Sequence, residues 1–441
     1  MKNTGISAFI ILLGILVIAQ SVSGQQKPVE WTLRSCIDYA LKNNISIKIQ
    51  QQSVAIGKEN FAQSKSSRLP NLNAGVGLSF LGNTAQDKEG QQLSYPGNYS
   101  VQSQMTLYNG SKIKNTIAQN ELLVKSQELS VKESENNMEL TITAAYLKIL
   151  YARESVLNAE NTLTSSETQY QRAKVLFDAG YIAESNYAQV QSQYSSDKYS
   201  LVVAQNAESE LILQLKQLLQ LGINDEISID FPALDETQVL TVLPAKQDVY
   251  NTALSFMPQV ENGKVTMDIA GKDLQIAKAG YLPVLSVSAS IATSYNSLTT
   301  GNYPSQMGNN FYENAGLSLN IPIFNNRQVK SSVAKAQIGV ETAKLSYADT
   351  QTNLLTQVET AYLDALSAQG RFQAAAEQLK FIQISYSLIE EQFNLGMKNT
   401  VDLLTEKTKF LTAQQEYLQA KYTAILNYKI LDFYQNKPIT L

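Results

Sequence analysis

The chain contains the same sequence pattern twice. Residues 106–217 align without a gap on residues 322–433 when they are moved forward by 216 positions. Farther upstream the offset is 213 positions, which brings the Leu-Pro pair at 69–70 onto the Leu-Pro pair at 282–283. A period of roughly 200 residues is far longer than the unit of a solenoid, so the pattern indicates a duplicated, domain-sized structure. We expect each copy to contain a short helix, a pair of strands and a long helical hairpin.

The composition of the 441 residues excludes several kinds of function. The net charge is −4, so the chain has no surplus of Lys and Arg to neutralise phosphates, and we expect no nucleic acid partner. There is no histidine and only one cysteine, Cys36, which excludes Ser-His and Cys-His catalysis and metal sites rich in His or Cys. We therefore expect no enzyme activity and no cofactor, and we expect Cys36 to be buried on the apolar side of a helix.

The N-terminal residues 1–24 have the features of a secretory signal peptide. Lys2 supplies the positive start, residues 8–19 form a mostly apolar stretch, and small residues end at Gly24. The pattern predicts that the protein is exported. No later segment approaches the length of apolar sequence that a membrane helix needs.

Two long intervals of the chain are predicted to be helical hairpins. Proline is absent from 97–231 and from 323–437, and apolar residues recur every seven positions in both intervals. A sustained seven-residue repeat indicates left-handed coiled-coil packing. The glycines Gly180 and Gly396 mark the reversals. The predicted hairpins cover residues 111–220 and 327–436.

Ahead of each hairpin, the pattern changes to a two-residue period. Leu72, Ala74, Val76 and Leu78 alternate with small polar residues, and the other predicted strands show the same alternation. The strand length suits a tilted membrane strand, and aromatic residues lie near the strand ends, although an ordinary soluble sheet has the same alternation. The predicted strands cover about 70–82, 98–108, 283–296 and 312–323, and the polar segments 83–97 and 297–310 are predicted to be exposed loops.

A membrane sheet of four strands cannot close on itself. Open sheet edges cannot be satisfied in lipid, so such strands have to be pooled among identical chains with cyclic symmetry. The predicted first repeat is therefore 25–220, joined through a linker at 221–247 to a second repeat at 248–436 and a tail at 437–441.

The ends of the strand pairs carry motifs that occur in both copies. A Leu-Pro-x-Leu motif begins at Leu69 and at Leu282, and the strand-to-helix turns are Leu-Tyr-Asn-Gly at 107–110 and Ile-Phe-Asn-Asn at 323–326. With the hairpin tip at 393–396, these motifs resemble those of the TolC-like outer-membrane factor family. That family forms the exit ducts of tripartite efflux pumps and of type I secretion, and the resemblance covers essentially all of 31–436.

The resemblance implies a mainly α fold with a membrane β-barrel. The expected assembly is a homotrimer in which three chains share a twelve-stranded barrel in the outer-membrane lipid, four strands from each chain. The long hairpins would form an α-barrel tunnel in the periplasm. The implied partners are a periplasmic adaptor (membrane fusion) protein and an inner-membrane RND or ABC transporter, which supplies the energy because this chain has no GxxxxGK[ST] motif.

The resemblance also implies a gate at the periplasmic hairpin tips. By position, Asp402 matches a tip aspartate of the family, and Lys398 matches a basic tethering residue. Thr405 occupies the place where some members have a second acidic residue. Asp402 has an alternative role as an acidic residue favoured at a helix N-terminus. The predicted gate residues are Ser185, Asn186, Phe393, Lys398, Asp402 and Thr405, and adaptor docking is predicted around Gly180 and Gly396.

Two other classes of protein also contain long exported helices. A periplasmic adaptor has helical hairpins, and an envelope coiled-coil protein has the heptads. Neither needs two hairpins preceded by strand pairs of membrane length, so the outer-membrane exit duct is the main hypothesis. The sequence leaves the cargo open, whether drug, metal or polypeptide.

Overall fold

The computed structural model describes residues 30–82, 93–234 and 236–441. The predicted signal peptide at 1–24 and most of the predicted loop 83–97 lie outside these residues. The described residues are mainly helical. In the first half of the chain the elements are β1 (Glu30–Trp31), α1 (Leu33–Asn43), α2 (Ile45–Ser66), β2 (Asn71–Leu78), β3 (Leu81–Gly82), β4 (Leu93–Ser94), β5 (Pro96–Tyr108), α3 (Lys112–Asp178) and α4 (Glu184–Leu219).

The second half repeats most of this order. Its elements are β6 (Ser228–Ile229), a 3₁₀ turn (Glu236–Leu240), α5 (Lys246–Phe256), α6 (Pro258–Ala279), β7 (Val284–Asn296), α7 (Tyr303–Asn309), β8 (Tyr312–Asn320), α8 (Gln328–Asn394) and α9 (Thr400–Tyr434). We call α3 with α4 the first hairpin and α8 with α9 the second hairpin.

The duplication extends to single backbone conformations. Helices α3 and α8 both have 67 residues and start 216 positions apart. The left-handed residues recur at the same offset, with φ of 75° at Gly180 and 76° at Gly396, and 57° at Gln220 and 59° at Asn436. Both copies therefore turn the chain at corresponding residues.

Each copy begins with two helices rather than the single short helix expected from the sequence. The first helix has 11 residues and the second 22 in both copies. The break comes at Asn44 and at Met257, whose ψ angles of 128° and 126° are not helical. In the second copy Pro258 then occupies the first turn of α6, where its missing N–H removes no helical hydrogen bond.

The chain forms two compact units. The sheet unit comprises Ser46–Ser134 and Tyr250–Gln357, and the hairpin unit comprises Glu135–Val249, Val358–Leu441 and the described part of Met1–Ile45. None of the helices among the described residues combines the length and the apolar character needed to cross a membrane.

The sheet unit contains a four-stranded antiparallel sheet in the order β2-β5-β7-β8. Its register places Ala74 opposite Val101, Val101 opposite Ile291, and Val287 opposite Leu317. Because directly opposed residues share a face, the alternating apolar residues of all four strands form one apolar face. Both edge strands are exposed along their whole length.

The predicted loop 297–310 is exposed except at Gln306 and Met307, and it contains the short helix α7. Helix α7 starts where the Asn302 side chain accepts a hydrogen bond from the Ser305 N–H (3.1 Å). The buried Gln306 side chain donates to the carbonyl oxygens of Thr299 (3.0 Å) and Gly301 (2.9 Å). The Gln306 amide also accepts from the Asn296 N–H (2.9 Å), so one side chain satisfies three backbone groups of this segment.

The hairpin unit has a core built by the heptad positions. Ile142, Ile149 and Val156 are buried in α3, and Val358, Ala365 and Phe372 are buried at the corresponding places of α8. Cys36 is buried in α1, as expected, and burial raises the pKa of its thiol to about 12. The two hairpins therefore have rigid cores that position their tips.

A short strap from the predicted linker crosses the hairpin unit. Strand β6 pairs in parallel with β1, and the Tyr146 hydroxyl donates to the carbonyl oxygen of Asp230 (2.6 Å). The Gln369 side chain donates to the carbonyl oxygens of Val239 and Thr241, both at 3.0 Å. These contacts attach the strap to helices α3 and α8.

Candidate functional site

The hairpin tips are two closely similar glycine turns. At the first tip the Tyr181 N–H donates to the Leu176 carbonyl (2.8 Å), and at the second the Met397 N–H donates to the Gln392 carbonyl (2.8 Å). Gly180 and Gly396 lie within these Schellman-type turns with positive φ, and both are exposed. The predicted docking residues therefore lie in the exposed turns that follow α3 and α8.

The second tip contains four of the predicted gate residues: Phe393, Lys398, Asp402 and Thr405. The Lys398 Nζ and Asp402 Oδ2 atoms are 3.7 Å apart, with 40% and 42% of the side chains exposed. An exposed ion pair of this kind contributes roughly 0–1 kcal/mol. The Asp402 N–H donates to the Asn399 side chain (2.9 Å), so Asp402 also sits in the first turn of α9, where the helix dipole favours an acid. The Thr405 hydroxyl donates to the Val401 carbonyl (2.8 Å) within the helix.

The first tip lacks these polar contacts. Ser185 and Asn186 are exposed in the first turn of α4, and the preceding Ala183 provides no side-chain cap. Asn186 is 216 positions before Asp402, so it occupies the corresponding place in the first tip but is uncharged. The two tips therefore differ in charge and in capping.

A cavity of about 390 Å³ lies between the two tips. It brings together four of the predicted residues, whereas Ser185, Gly180, Asp402 and Thr405 do not line it. Arg172 and Gln169 of α3 complete its wall. The predicted residues that line the cavity are Asn186, Phe393, Gly396 and Lys398.

Sequence reasoning missed the contacts that join the tips. The Arg172 guanidinium donates to the Asn394 side-chain oxygen (2.5 Å) and to the Asn394 carbonyl oxygen (2.8 Å). One turn earlier, the Gln169 side chain donates to Glu390 Oε1 (3.0 Å). Tyr386 also donates to Glu390 (3.1 Å), and burial together with that carboxylate raises the pKa of Tyr386 to about 12. The phenol therefore stays a neutral donor at physiological pH.

Farther from the tips, buried charges join the hairpins. Lys407 Nζ of α9 lies 2.7 Å from Asp197 Oδ2 of α4, and both side chains are almost completely buried. Lys421 of α9 lies 3.0 Å from carboxylate oxygens of both Glu154 and Glu236. Burial alone would lower the pKa of Lys421, but these two carboxylates more than offset it, so the pKa is raised. Removing one partner of a buried ion pair strongly destabilises a protein, because the other charge stays buried without compensation.

One signal in the sequence could have identified these residues. Arg172 corresponds to Leu388 at the offset of 216, Asp197 to Ala413, and Lys407 to Gln191. In each case a charge is present in one copy at a place where the other copy is uncharged. Such differences between duplicated helices indicate contacts that only one copy makes.

No group of three or more acidic or cysteine side chains in the part of the chain that the structure describes could hold a metal ion. The site is accordingly a set of helix–helix contacts and turns. Its chemistry is hydrogen bonding and ion pairing across two coiled coils.

Comparison with known proteins shows the family. Residues 36–220 and 249–432 match the family model described as outer membrane efflux protein. The chain belongs to this family. The two matched segments correspond to the two copies of the duplication, and they leave out the strap between them.

Individual relatives are similar over most of their length. The outer membrane efflux protein BepC of Brucella suis biovar 1 is 20% identical over 97% of this chain and 89% of its own length. The outer membrane protein TolC of Escherichia coli is 22% identical over 84% of this chain and 75% of its own length.

Solved structures share the fold. The structure of CusC has a TM-score of 0.80 at 17% identity and covers 94% of this chain and 96% of its own. The Campylobacter jejuni CmeC outer membrane channel has a TM-score of 0.76 at 17% identity and covers 91% of this chain and 84% of its own. The open state of the Neisseria gonorrhoeae MtrE channel has a TM-score of 0.74 at 17% identity and covers 91% of this chain and 88% of its own.

Membership of this family decides between the hypotheses. The protein is an outer-membrane efflux channel of the TolC-like family and not an enzyme. The alternatives of a periplasmic adaptor or a structural coiled-coil protein do not fit the match over both copies.

Proposed function

We propose that three copies of this chain assemble into a duct that carries substrates across the outer membrane. The observation that carries the proposal is the four-stranded sheet with an exposed apolar face and two exposed edge strands. Unpaired edges are very unfavourable in lipid, so the sheets of three chains would pair edge to edge into a closed, twelve-stranded barrel. The exposed side chains Leu72, Val76 and Leu317 would face the lipid.

The hairpins of the three chains would form the α-barrel tunnel in the periplasm. Each chain contributes two hairpins, so the tunnel would have six. The aromatic side chains Tyr170, Tyr187 and Phe177 stack between α3 and α4, with ring centroids 5.9 and 4.9 Å apart in successive pairs. This stack supports the first hairpin as a stiff wall element close to its tip.

The gate would lie at the tips, where the second hairpin is held against the first. Arg172 and Gln169 provide the stronger holding contacts, because they donate to Asn394 and Glu390 across the two hairpins. The exposed Lys398–Asp402 pair is a weaker contact within the second tip. Phe393 and Asn186 line the cavity between the tips, whereas Ser185 lies in the first turn of α4 and Thr405 in the second turn of α9.

A periplasmic adaptor would dock around Gly180 and Gly396. Large apolar side chains beside both glycines are exposed: Tyr181 at the first tip, and Leu395 and Met397 at the second. Exposed apolar groups at the outermost turns suit a protein partner. An adaptor that binds the open arrangement more tightly would shift the population towards it, and an inner-membrane RND or ABC transporter would supply the energy.

Fractionation and reconstitution test the duct. We expect the protein in the outer-membrane fraction, a detergent-solubilised mass of three chains, and single-channel currents in planar bilayers. Recovery as single chains from the soluble periplasm, with no current after reconstitution, would contradict the proposal.

A further inference from the structure

Helix α7 is fixed to the far end of strand β7. The Thr293 hydroxyl donates to the carbonyl oxygen of Met307 (2.7 Å). The Tyr303 ring of α7 contacts Tyr295 of β7 and Tyr99 of β5, with ring centroids 5.2 and 6.4 Å apart. We call Tyr99, Tyr295 and Tyr303 the tyrosine cluster. Tyr303 is 46% exposed, so part of the aromatic surface of the cluster stays open to solvent.

The tyrosine cluster lies on the apolar face of the sheet. In the register, Tyr99 is opposite both Thr293 and Val76. Opposed residues share a face, and Tyr295, two positions after Thr293, points to the same side. Val76 belongs to the apolar face, which faces lipid in the proposed barrel. Helix α7 would therefore lie on the outside of the barrel wall and not inside the channel.

A single carboxylate marks the height of α7 in the membrane. Among the residues of the four strands that share the apolar face, Glu313 is the only one that is charged, and it is opposite Ile291. A charged side chain on the lipid side of a barrel is costly near the bilayer midplane and nearly neutral at the interface. Glu313 therefore belongs at the edge of the apolar band.

The length of the chain beyond Glu313 agrees with this placement. Exposed apolar side chains alternate from Leu317 to Ile323, and Ile323 is ten positions after Glu313. Ten extended residues span roughly 34 Å, or roughly 26 Å along the barrel axis at a tilt near 40°, which is about the height of the apolar band of an outer-membrane barrel.

The tyrosine cluster lies beyond this band. Tyr295 is four positions past Ile291, on the side away from the strand ends that lead into α3 and α8. Four residues at the same tilt raise the cluster by roughly 10 Å above the edge of the band. The polar headgroup layer on each side of a bilayer is only about 5–8 Å thick. The cluster would therefore reach the layer outside the headgroups.

The composition around α7 favours neutral sugars over phosphates. Residues 279–312 contain no charged side chain, so this part of the chain offers no cation to a phosphate. Beside Tyr303, the exposed polar groups are the amides and hydroxyl of Asn302, Ser305 and Asn309. Sugar rings pack their C–H faces on aromatic rings, and their hydroxyls exchange hydrogen bonds with amides and hydroxyls.

We propose that α7 and the tyrosine cluster bind the sugar rings of glycolipids in the outer leaflet of the outer membrane. One sugar ring would stack on the open side of Tyr303. The neighbouring amides and hydroxyl would bond to the sugar hydroxyls. The proposal rests on the proposed barrel, because it requires the apolar face of the sheet to face lipid.

Native mass spectrometry of the purified protein in detergent tests the proposal. The two probes are a lipopolysaccharide that carries core sugars and lipid A, which lacks them. We expect the core-bearing probe to bind roughly three- to tenfold more tightly, as one stacked ring contributes. Tyr303→Ala should abolish this preference. Tyr303→Phe keeps the ring and should retain most of it.

Tyr281→Ala is the matched control. Tyr281 is 51% exposed, close to the value for Tyr303, but it precedes the opposite end of β7. The control should keep the preference of the wild type. Equal binding of both probes by the wild type would contradict the proposal and make the tyrosines an ordinary interfacial belt. A preference that survives in Tyr303→Ala, or that is lost equally in Tyr281→Ala, would also contradict it.

The mass and the current of each variant separate this proposal from the duct itself. We expect Tyr303→Ala to keep a mass of three chains and the single-channel current of the wild type. If the alanine variant does not assemble, Tyr303→Leu is the decisive variant, because it keeps an apolar side chain on Tyr295 and removes the ring. A conducting trimer without the preference contradicts only the glycolipid proposal. A wild-type mass of one chain without current contradicts the duct, and the glycolipid proposal with it.

Discussion

The first and second hairpins share length, turns and heptads, yet they use the same surfaces differently. On α9, Lys407 and Lys421 are buried and pair with carboxylates of the first hairpin. Their counterparts on α4, Gln191 and Gln205, are exposed and uncharged. The difference teaches that, after duplication, a helix surface acquires charged partners according to the neighbour it meets and not according to its own fold.

The tips show the same kind of divergence. Arg172 reaches Asn394 across the two tips, but its counterpart Leu388 is exposed and makes no such bond. Asn399 caps α9 with its side chain, whereas Ala183 cannot cap α4. The two tips therefore differ in capping, and only the Arg172 copy of this position makes the contact between them.

The largest expected effect is at the buried pair. Lys407→Gln leaves the buried Asp197 without its cation and with only the hydrogen bond from the Gln193 side chain, so the free energy of unfolding should fall by about 3–5 kcal/mol. The double variant Asp197→Ala with Lys407→Gln reproduces the uncharged pair of the other copy and should recover most of this loss. Chemical unfolding in detergent measures both. Equal loss in the single and double variants would show that the pair is not what couples these helices.

The next effect concerns Tyr146 of α3 and Tyr362 of α8, which occupy equivalent places in the two copies. Tyr146 is fully buried and donates to the Asp230 carbonyl, so Tyr146→Phe should cost about 1–3 kcal/mol of unfolding free energy. Tyr362, at the equivalent place, makes no side-chain hydrogen bond among the described residues. Tyr362→Phe should therefore stay within about 0.5 kcal/mol of the wild type. A larger loss of unfolding free energy in Tyr362→Phe would show that the hydrogen bond to the strap does not account for the difference between the two tyrosines.

The glycine turns should behave alike. An added Cβ at Gly180 or Gly396 meets no atom within 4 Å, so the cost comes only from the left-handed backbone conformation. Gly180→Ala and Gly396→Ala should each destabilise their own tip by about 1–2 kcal/mol. Amide hydrogen exchange of Tyr181 and Met397 reports the two turns separately. Clearly unequal changes would mean that the tips are not equivalent as turns.

The smallest effect should be at the predicted ion pair of the second tip. Lys398→Ala and Asp402→Ala each remove an exposed contact that is 3.7 Å long, so each should change stability by roughly 0–1 kcal/mol. Thermal unfolding in low and high salt checks this. A large, salt-sensitive loss would instead make the pair a principal contact of the gate.

Much of the fold follows from local pattern. The seven-residue repeat indicates α3, α4, α8 and α9, and the two-residue alternation indicates the strands, because both periods reflect which side is buried. The break at Asn44 and the helix α7 did not follow, since each depends on a few backbone angles or on one buried amide. Among the predicted gate residues, the structure places Asn186, Phe393 and Lys398 at the cavity between the tips.

The contacts between hairpins could not be predicted from local pattern. Lys407 and Asp197 are 210 positions apart, and a heptad does not specify which of two similar hairpins a face will meet. The same holds for Arg172 and Asn394, whose separation is 222 positions. Comparison of the copies at the offset of 216 is the one sequence signal that points to both pairs.

Single-channel conductance of Arg172→Ala tests the central claim, that contacts between the hairpin tips hold the duct closed. The variant loses two hydrogen bonds of an exposed guanidinium, each worth about 0.5–1.5 kcal/mol, so the open population should rise at least about fivefold. Lys174→Ala removes the same charge from a nearby exposed residue with no ion pair among the described residues, and it should conduct like the wild type. If Arg172→Ala conducts no better than Lys174→Ala, the tips are not held closed by this contact.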